Sequence, residues 1–443
     1  MKSENSHSVA LYKNKLIKWR EFQGHVDHVY RNILDKQSSD YGCRKVINLC
    51  EDYYHFLVLF AANMQAGLTT VMPSNRSAGE IARLREINKG ALVVSDDTIE
   101  NIIQNASTEV SELQLFDLDK IPNASVVAEL YSSGSESFPT ANELSWRHMK
   151  AGARQVFERF QIDPTGPLSI VATVPPQHMF GFEMAIVFPL VCHATIYHQQ
   201  PFYPGDIQQA LSLVPTPPML VTTPTQLKAC VTMKEPWPEM KFILSATSPM
   251  PEFIAGNAET NMGASVMEIY GCSEVGAIAT RQTTVSQNWE LLPRYSWHKN
   301  EDGMFLSIVD QDQPIDIPDR VALSSPRLFK LIGRHSDLIK IGGKRGSLAQ
   351  ISMRIKEIEG VDDVVVFIPE QNDEKRMRPA ALVVAPGLTM EQIRQALKFS
   401  LDPVFLPRPV YMVDKLPYNT IGKLPRMNIM SVYSKLLKGQ ATC

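Results

Sequence analysis

Several short segments of this chain hold the residue types that phosphate and carboxylate chemistry needs. SSGSESFP, Ser132 to Pro139, gathers serines around a glycine. The backbone amides and hydroxyls of Ser132, Ser133, Gly134 and Ser135 can surround phosphate oxygens, although the same composition makes an ordinary surface loop. PPQHMFG, Pro175 to Gly181, puts His178 just past the apolar run LSIVATV, at a strand end where α/β sheets bind ligands. A buried histidine satisfied by backbone fits that position too. YGCSEVG, Tyr270 to Gly276, offers an aromatic ring for a purine in Tyr270 and a hydroxyl for phosphate in Ser273. Its Glu274 is a hard oxygen donor for Mg²⁺. LIGRHSDLIKIGGKRGSL, Leu331 to Leu348, collects basic residues and glycines, as a solvated linker also does. LPYNTIGKLPR, Leu416 to Arg426, holds Lys423 behind a glycine in a proline-bounded loop. That is a cation to deliver to a phosphate, or a plain surface lysine.

The elements that must position these residues are legible as apolar runs. KVINLC (45–50), ALVVS (91–95), LSIVATV (168–174), ATIYH (194–198), MLVTT (219–223), KFILSA (241–246) and SVMEIY (265–270) alternate with helical patterns. Continuous apolar runs of strand length are the pattern of parallel strands covered on both faces, so the fold class is α/β. The stretch from Phe56 to Met64 predicts a buried helix leading into a strand. Beyond Phe329 come strands at 364–368 and 381–385, a helix near 389–399 and a short strand at 411–413. That mixed unit has the size of a small second domain.

Composition narrows the function classes. At 443 residues, more than one core is expected. A 44% hydrophobic and 21% charged chain is globular rather than disordered. A net charge of −3 gives no reason to expect nucleic acid or an anionic membrane as a partner. The start of the chain is polar and reads as no secretory signal, and no apolar run is long enough to span a bilayer. Six cysteines without a Cys-x-x-Cys pair suggest neither a disulfide framework nor zinc, and a cytoplasmic enzyme is expected.

Taken in their order, the segments resemble the superfamily of acyl-CoA synthetases, luciferases and nonribosomal adenylation domains, from about Asn48 to Arg426. Ser132–Pro139 is similar to its Thr-Ser-Gly-Ser-Thr-Gly-x-Pro phosphate loop, and Pro176–Gly181 to its Pro-x-x-His-x-x-Gly motif beside the acyl pocket. Ser245-Ala246-Thr247-Ser248-Pro249-Met250 falls where the family has Ser-Gly-Gly-Ala-Pro-Leu, close to the adenine. Tyr270-Gly271-Cys272-Ser273-Glu274 resembles Tyr-Gly-x-Thr-Glu, the segment for adenine, phosphate and Mg²⁺. The resemblance implies that Asp319 binds the ribose hydroxyls, that Arg334 belongs to the family Gly-Arg, and that Ser336 is the hinge. It makes Lys423 the lysine that contacts carboxylate and α-phosphate during adenylation. The expected division is a large adenylate-forming domain, 1–333, with mostly parallel sheets, and a small mobile α+β domain, 334–443. The implied activity converts a carboxylic acid and ATP to acyl-AMP and pyrophosphate, then transfers the acyl group to a phosphopantetheine thiol. Coenzyme A or a separate acyl carrier protein is the expected acceptor. DRVALSSPRLFKLIGR and GAIATRQ look most like small bacterial synthetases of aryl-polyene-type gene clusters, which implies an aryl or fatty acid substrate.

The phosphate loop departs from the family pattern. Glu136 and Ser137 replace Thr-Gly, and Thr140 stands where a lysine often sits. A carboxylate beside a triphosphate is unfavourable unless a cation screens it, by about 4 kcal/mol per contact at an effective dielectric near 20. This leaves a tolerated loop variant and a pseudoenzyme that binds carrier or nucleotide without turnover as alternatives. An adenylating oxidase of the luciferase type is a third. Gln350-Ile351-Ser352 likewise replaces the family Glu-Ile-Glu.

Overall fold

The computed structural model describes residues 7–34, 44–106, 115–131, 141–163, 166–299, 304–309, 311, 314–317, 319–334, 338–341, 344–369, 378–400, 403–418 and 424–440. The chain divides into two compact units, one running to Gln287 with Leu291–Arg294, the other comprising Asn288–Glu290 and everything from Tyr295 onward.

Two sheets build the first unit. In one, the strands Val266–Cys272, Phe242–Ser245, Pro218–Thr222, Ser169–Ala172, Thr195–Tyr197 and Ser8–Tyr12 lie side by side in that order, every neighbouring pair parallel. Gly276–Gln282 runs antiparallel beside Val266–Cys272, and Lys15–Lys18 runs antiparallel beside Ser8–Tyr12 at the sheet's edge. In the second sheet, Leu92–Val94, Lys45–Asn48, Thr69–Met72 and Val126–Tyr131 are parallel, with Ala141–Ser145 antiparallel at the edge. The apolar runs are strands for the reason their composition suggests: Ser169–Ala172, Pro218–Thr222 and Phe242–Ser245 are buried at every position, which only a sheet covered on both faces allows.

The predicted buried helix is Tyr53–Gln65, with every residue from Tyr53 to Met64 buried. Asp52 caps its start, accepting from the Tyr54 and His55 amides at 2.8 and 3.2 Å. Phe56 and Phe60 meet Phe182 edge-on, with centroids 6.2 and 5.1 Å away.

The second unit carries the expected α+β element order. Asp363–Phe367, Ala380–Val384 and Val410–Met412 form a three-stranded sheet. Its side chains alternate between two cores. Val364, Val366, Ala381 and Val383 pack with Ile351 and Ile355 of helix Leu348–Lys356 and with Ile393 and Leu397 of helix Met390–Ser400. Ala380, Leu382 and Val384 pack on the other face with Ile429 and Tyr433 of helix Arg426–Gln440. Among the described residues, no helix is long and apolar enough to cross a membrane.

Candidate active site

Three of the chemistry-bearing segments follow the C-terminal ends of neighbouring parallel strands: 173–181 after Ser169–Ala172, 246–250 after Phe242–Ser245, and the turn that ends Val266–Cys272. This is the edge at which parallel sheets bind ligands. Pro218–Thr222, the strand between, adds a polar floor. There Thr173 Oγ1 donates to Gln226 Oε1 at 2.5 Å and lies 2.9 Å from Thr222 Oγ1.

The first segment is held at several points. Tyr53 donates to the Val174 carbonyl and, at 3.2 Å, to that of Ala172. The His178 amide reaches the Pro175 carbonyl at 3.2 Å, and the Phe182 amide reaches that of His178 at 2.7 Å. His178 is half-buried at the start of the short helix Met179–Gly181. A Cβ on Gly181 would lie 2.1 Å from the Pro175 oxygen, so the spacing of proline, histidine and glycine in this motif has a steric cause. Backbone meets backbone there, and only glycine fits.

Ser245–Met250 hangs from one buried carboxylate. Glu268 accepts from the Met250 amide at 3.1 Å, from Arg281 Nε at 2.6 Å and from the Thr283 hydroxyl. Thr247 and Ser248 are exposed, as is Pro249. Thr247 has φ +82°, a left-handed backbone that is rare for a β-branched residue and is held only where its surroundings over-determine it. The family pattern has glycine at that position. Here the unusual backbone persists with a side chain on it.

Tyr270 to Gly276 forms a hairpin end. Gly271 pairs with Ala277 and Cys272 with Gly276, leaving Ser273, Glu274 and Val275 at the tip. A Cβ on Gly271 would sit 2.2 Å from the Gly276 oxygen, so the two strands close more tightly than side chains permit. Tyr270 is buried, Ser273 half-buried and Glu274 exposed. Glu274 is a hard donor with open access, and the described residues include no cluster of three His, Cys, Asp or Glu.

In the second unit, Asp319–Leu323 and Leu328–Arg334 are antiparallel neighbours, and the register sets Asp319 opposite Arg334. Ser132, Ser133, Gly134, Ser135, Ser336 and Lys423 lie outside the described residues.

Three buried groups carry no motif and were not singled out by sequence: Glu268, Glu183 and His148. Their signal is polarity in apolar context, as in FGFEMAIVFPLV and SVMEIY, because a buried charge needs a stated partner. His148 Nε2 lies 2.8 Å from the Val275 carbonyl, and burial lowers its pKa. The neutral ring therefore donates from Nε2. Burial pushes the thiols of Cys192 and Cys230 up to about 12. Those of Cys50 and Cys272 are also raised, chiefly by burial and, at Cys272, next by the charge of Glu274.

A model of the family described as AMP-binding enzyme matches residues 33–321. Similar proteins include the 4-coumarate–CoA ligase of Halorhodospira halophila, 24% identical over 302 residues, which are 66% of this chain and 73% of that protein. The oxalate–CoA ligase of Saccharomyces cerevisiae is 20% identical over 361 residues, 71% of this chain and 64% of the yeast protein. Among solved structures, ATP-bound MatB from Rhodopseudomonas palustris matches with a TM-score of 0.83 at 17% identity, over 98% of this chain and 97% of that one. The o-succinylbenzoate CoA synthetase of Bacillus subtilis, holding its acyl-adenylate intermediate, matches at 0.81 and 15% identity, over 97% and 96%. At these identities the structural likeness establishes the fold.

Proposed function

Because the chain belongs to the family of AMP-binding enzymes, we propose that it is an ATP-dependent acid–thiol ligase acting on an aryl or fatty acid in the cytoplasm. The observation that carries this reading is the convergence of 173–181, 246–250 and 270–276 at the ligand edge of one parallel sheet. In the first half-reaction the acid's carboxylate oxygen attacks the α-phosphorus of ATP. An O–P bond forms to give acyl-AMP, and the bond to pyrophosphate breaks. In the second, a thiolate attacks the acyl carbon and AMP leaves.

Negative charge gathers on the phosphoryl oxygens during the first step, so fixed cations and amides supply the catalysis. In this reading Lys423 bridges the carboxylate and the α-phosphate. Ser132, Ser133, Gly134 and Ser135 cradle the leaving pyrophosphate. Tyr270, Gly271 and Ser273, together with Thr247, Ser248 and Pro249, border the adenine and its phosphate, while Asp319 and Arg334 hold the ribose side. His178 lies on the acid side. Glu274 would hold Mg²⁺, which when bound neutralises phosphate charge. The domain from 334 onward turns about Ser336 between the half-reactions, withdrawing Lys423 and admitting the pantetheine arm of coenzyme A or of a separate carrier protein.

The test is pyrophosphate and AMP release with MgATP across hydroxybenzoic, cinnamic and medium-chain fatty acids. Each is tried with coenzyme A, with a holo-carrier protein and with neither. Acid-dependent release is expected, and the best acceptor identifies the second substrate. Folded protein that releases nothing with any acid would defeat the reading.

A further inference from the structure

Glu183 sits fully buried in the helical turn Phe182–Val187, directly after His178–Gly181. Its Oε2 accepts from the Ala277 amide at 2.9 Å, while its Oε1 has no hydrogen-bond partner among the described residues. Two glycines on separate elements make room for this one carboxyl group. A Cβ on Gly152, in helix Trp146–Arg159, would stand 2.8 Å from Oε1. One on Gly276 would stand 2.9 and 3.0 Å from the two oxygens, and 2.8 Å from the terminal methyl of Met179. Gly276 also has φ +71°, which glycine adopts at little cost.

The same turn is gripped a second time. His148, on the helix that carries Gly152, donates to the carbonyl of Val275. The turn behind Ser273 and Glu274 is thus bonded at Val275 through its oxygen and at Ala277 through its nitrogen, by side chains from two different helices. An apolar residue of similar volume at 183 would pack without the burial cost that pushes this carboxyl up to about 7. Packing alone therefore does not explain an acid in this position.

We propose that Glu183 is a positioning residue: from the helix that follows the acid-side motif, it holds the hairpin tip bearing Ser273 and Glu274 in the geometry that receives the nucleotide. The consequence for nucleotide binding rests on the ligase reading, whereas the grip on the turn does not.

Glu183→Met removes the acceptor but keeps the volume, and Glu183→Gln keeps an acceptor for Ala277. Thermal unfolding, titration calorimetry with MgATP, and KM for ATP and for the best acid in pyrophosphate release are measured on both. The methionine variant is expected to unfold no earlier than the native chain, yet to bind MgATP about tenfold more weakly, the size of one hydrogen bond. Its KM for the acid should change less than twofold, and the glutamine variant should restore MgATP affinity. Native affinity in folded Glu183→Met, or equal loss in both variants, would overturn the proposal. If the methionine variant does not fold, Glu183→Ala carries the same comparison. If the native protein binds no MgATP, the ligase reading fails. Hydrogen exchange over 270–277 then decides the grip: faster exchange in Glu183→Met than in Glu183→Gln supports it, and equal exchange refutes it.

Discussion

At the scale of single residues, backbone approach and burial set the limits. Alanine at Gly181 would drive a methyl into the Pro175 carbonyl, and the turn bearing His178 must move to admit it. Overpacking of that kind costs about 1–3 kcal/mol, while a shift of about 1 Å at a site can cost on the order of 10²-fold in rate. Gly181→Ala is therefore expected to lose far more activity than stability, read by pyrophosphate release beside chemical denaturation. Glu183 gives a pH signature of definite sign. An ordinary carboxyl ionises near 4.5 in the unfolded chain, whereas this one holds its proton to about pH 7 when folded. The folded state thus loses stability as pH rises between those values, by about 3 kcal/mol in all, and loses no more above them. Glu183→Gln should match the native chain near pH 4.5 and exceed it in stability by about that amount at pH 8, as measured by urea denaturation at both values.

At the scale of elements, one carboxylate links the end of a strand to the loop beside it. Glu268 joins the Met250 amide to Arg281 across the hairpin, and both charged side chains are almost fully enclosed. Removing its charge breaks the buried ion pair with Arg281, and a broken buried pair costs about 3–5 kcal/mol. Glu268→Gln should lose that much in equilibrium unfolding, and Glu268→Gln with Arg281→Met should recover much of it. The strands were legible in the sequence because fully buried parallel strands leave continuous apolar runs, as in LSIVATV and MLVTT. The hairpin return Gly276–Gln282 and the paired strands Tyr295–Lys299 and Met304–Ile308 were not, since their composition is mixed and their pairing is a tertiary matter. The segments 173–181, 246–250 and 270–276 were legible because each follows an apolar run that is a strand. Glu183, His148 and Glu268 were not, because their roles depend on what lies across from them: an amide at 277, a carbonyl at 275, a guanidinium at 281.

At the scale of the molecule, the proposed cycle separates two chemistries by moving one lysine. If Lys423 serves adenylation alone, Lys423→Ala should slow acyl-AMP formation by about 10²–10³-fold, the loss expected for one electrostatic donor. Transfer from supplied acyl-AMP to the thiol acceptor should be largely spared. Rapid-quench measurement of each half-reaction separates the outcomes. Equal slowing of both would mean that the residue serves the whole fold rather than one half of the cycle.

The raised thiols bear on the same chemistry. An acyl-adenylate is a potent electrophile, and it must survive inside the protein until the right sulfur arrives. A thiolate attacks and a thiol scarcely does. Cys272, in the hairpin that carries Glu274, and the described cysteines Cys50, Cys192 and Cys230 are all kept protonated. Thiolate is therefore scarcer at these four positions than at an ordinary cysteine, and an acyl-adenylate meets a weaker nucleophile there.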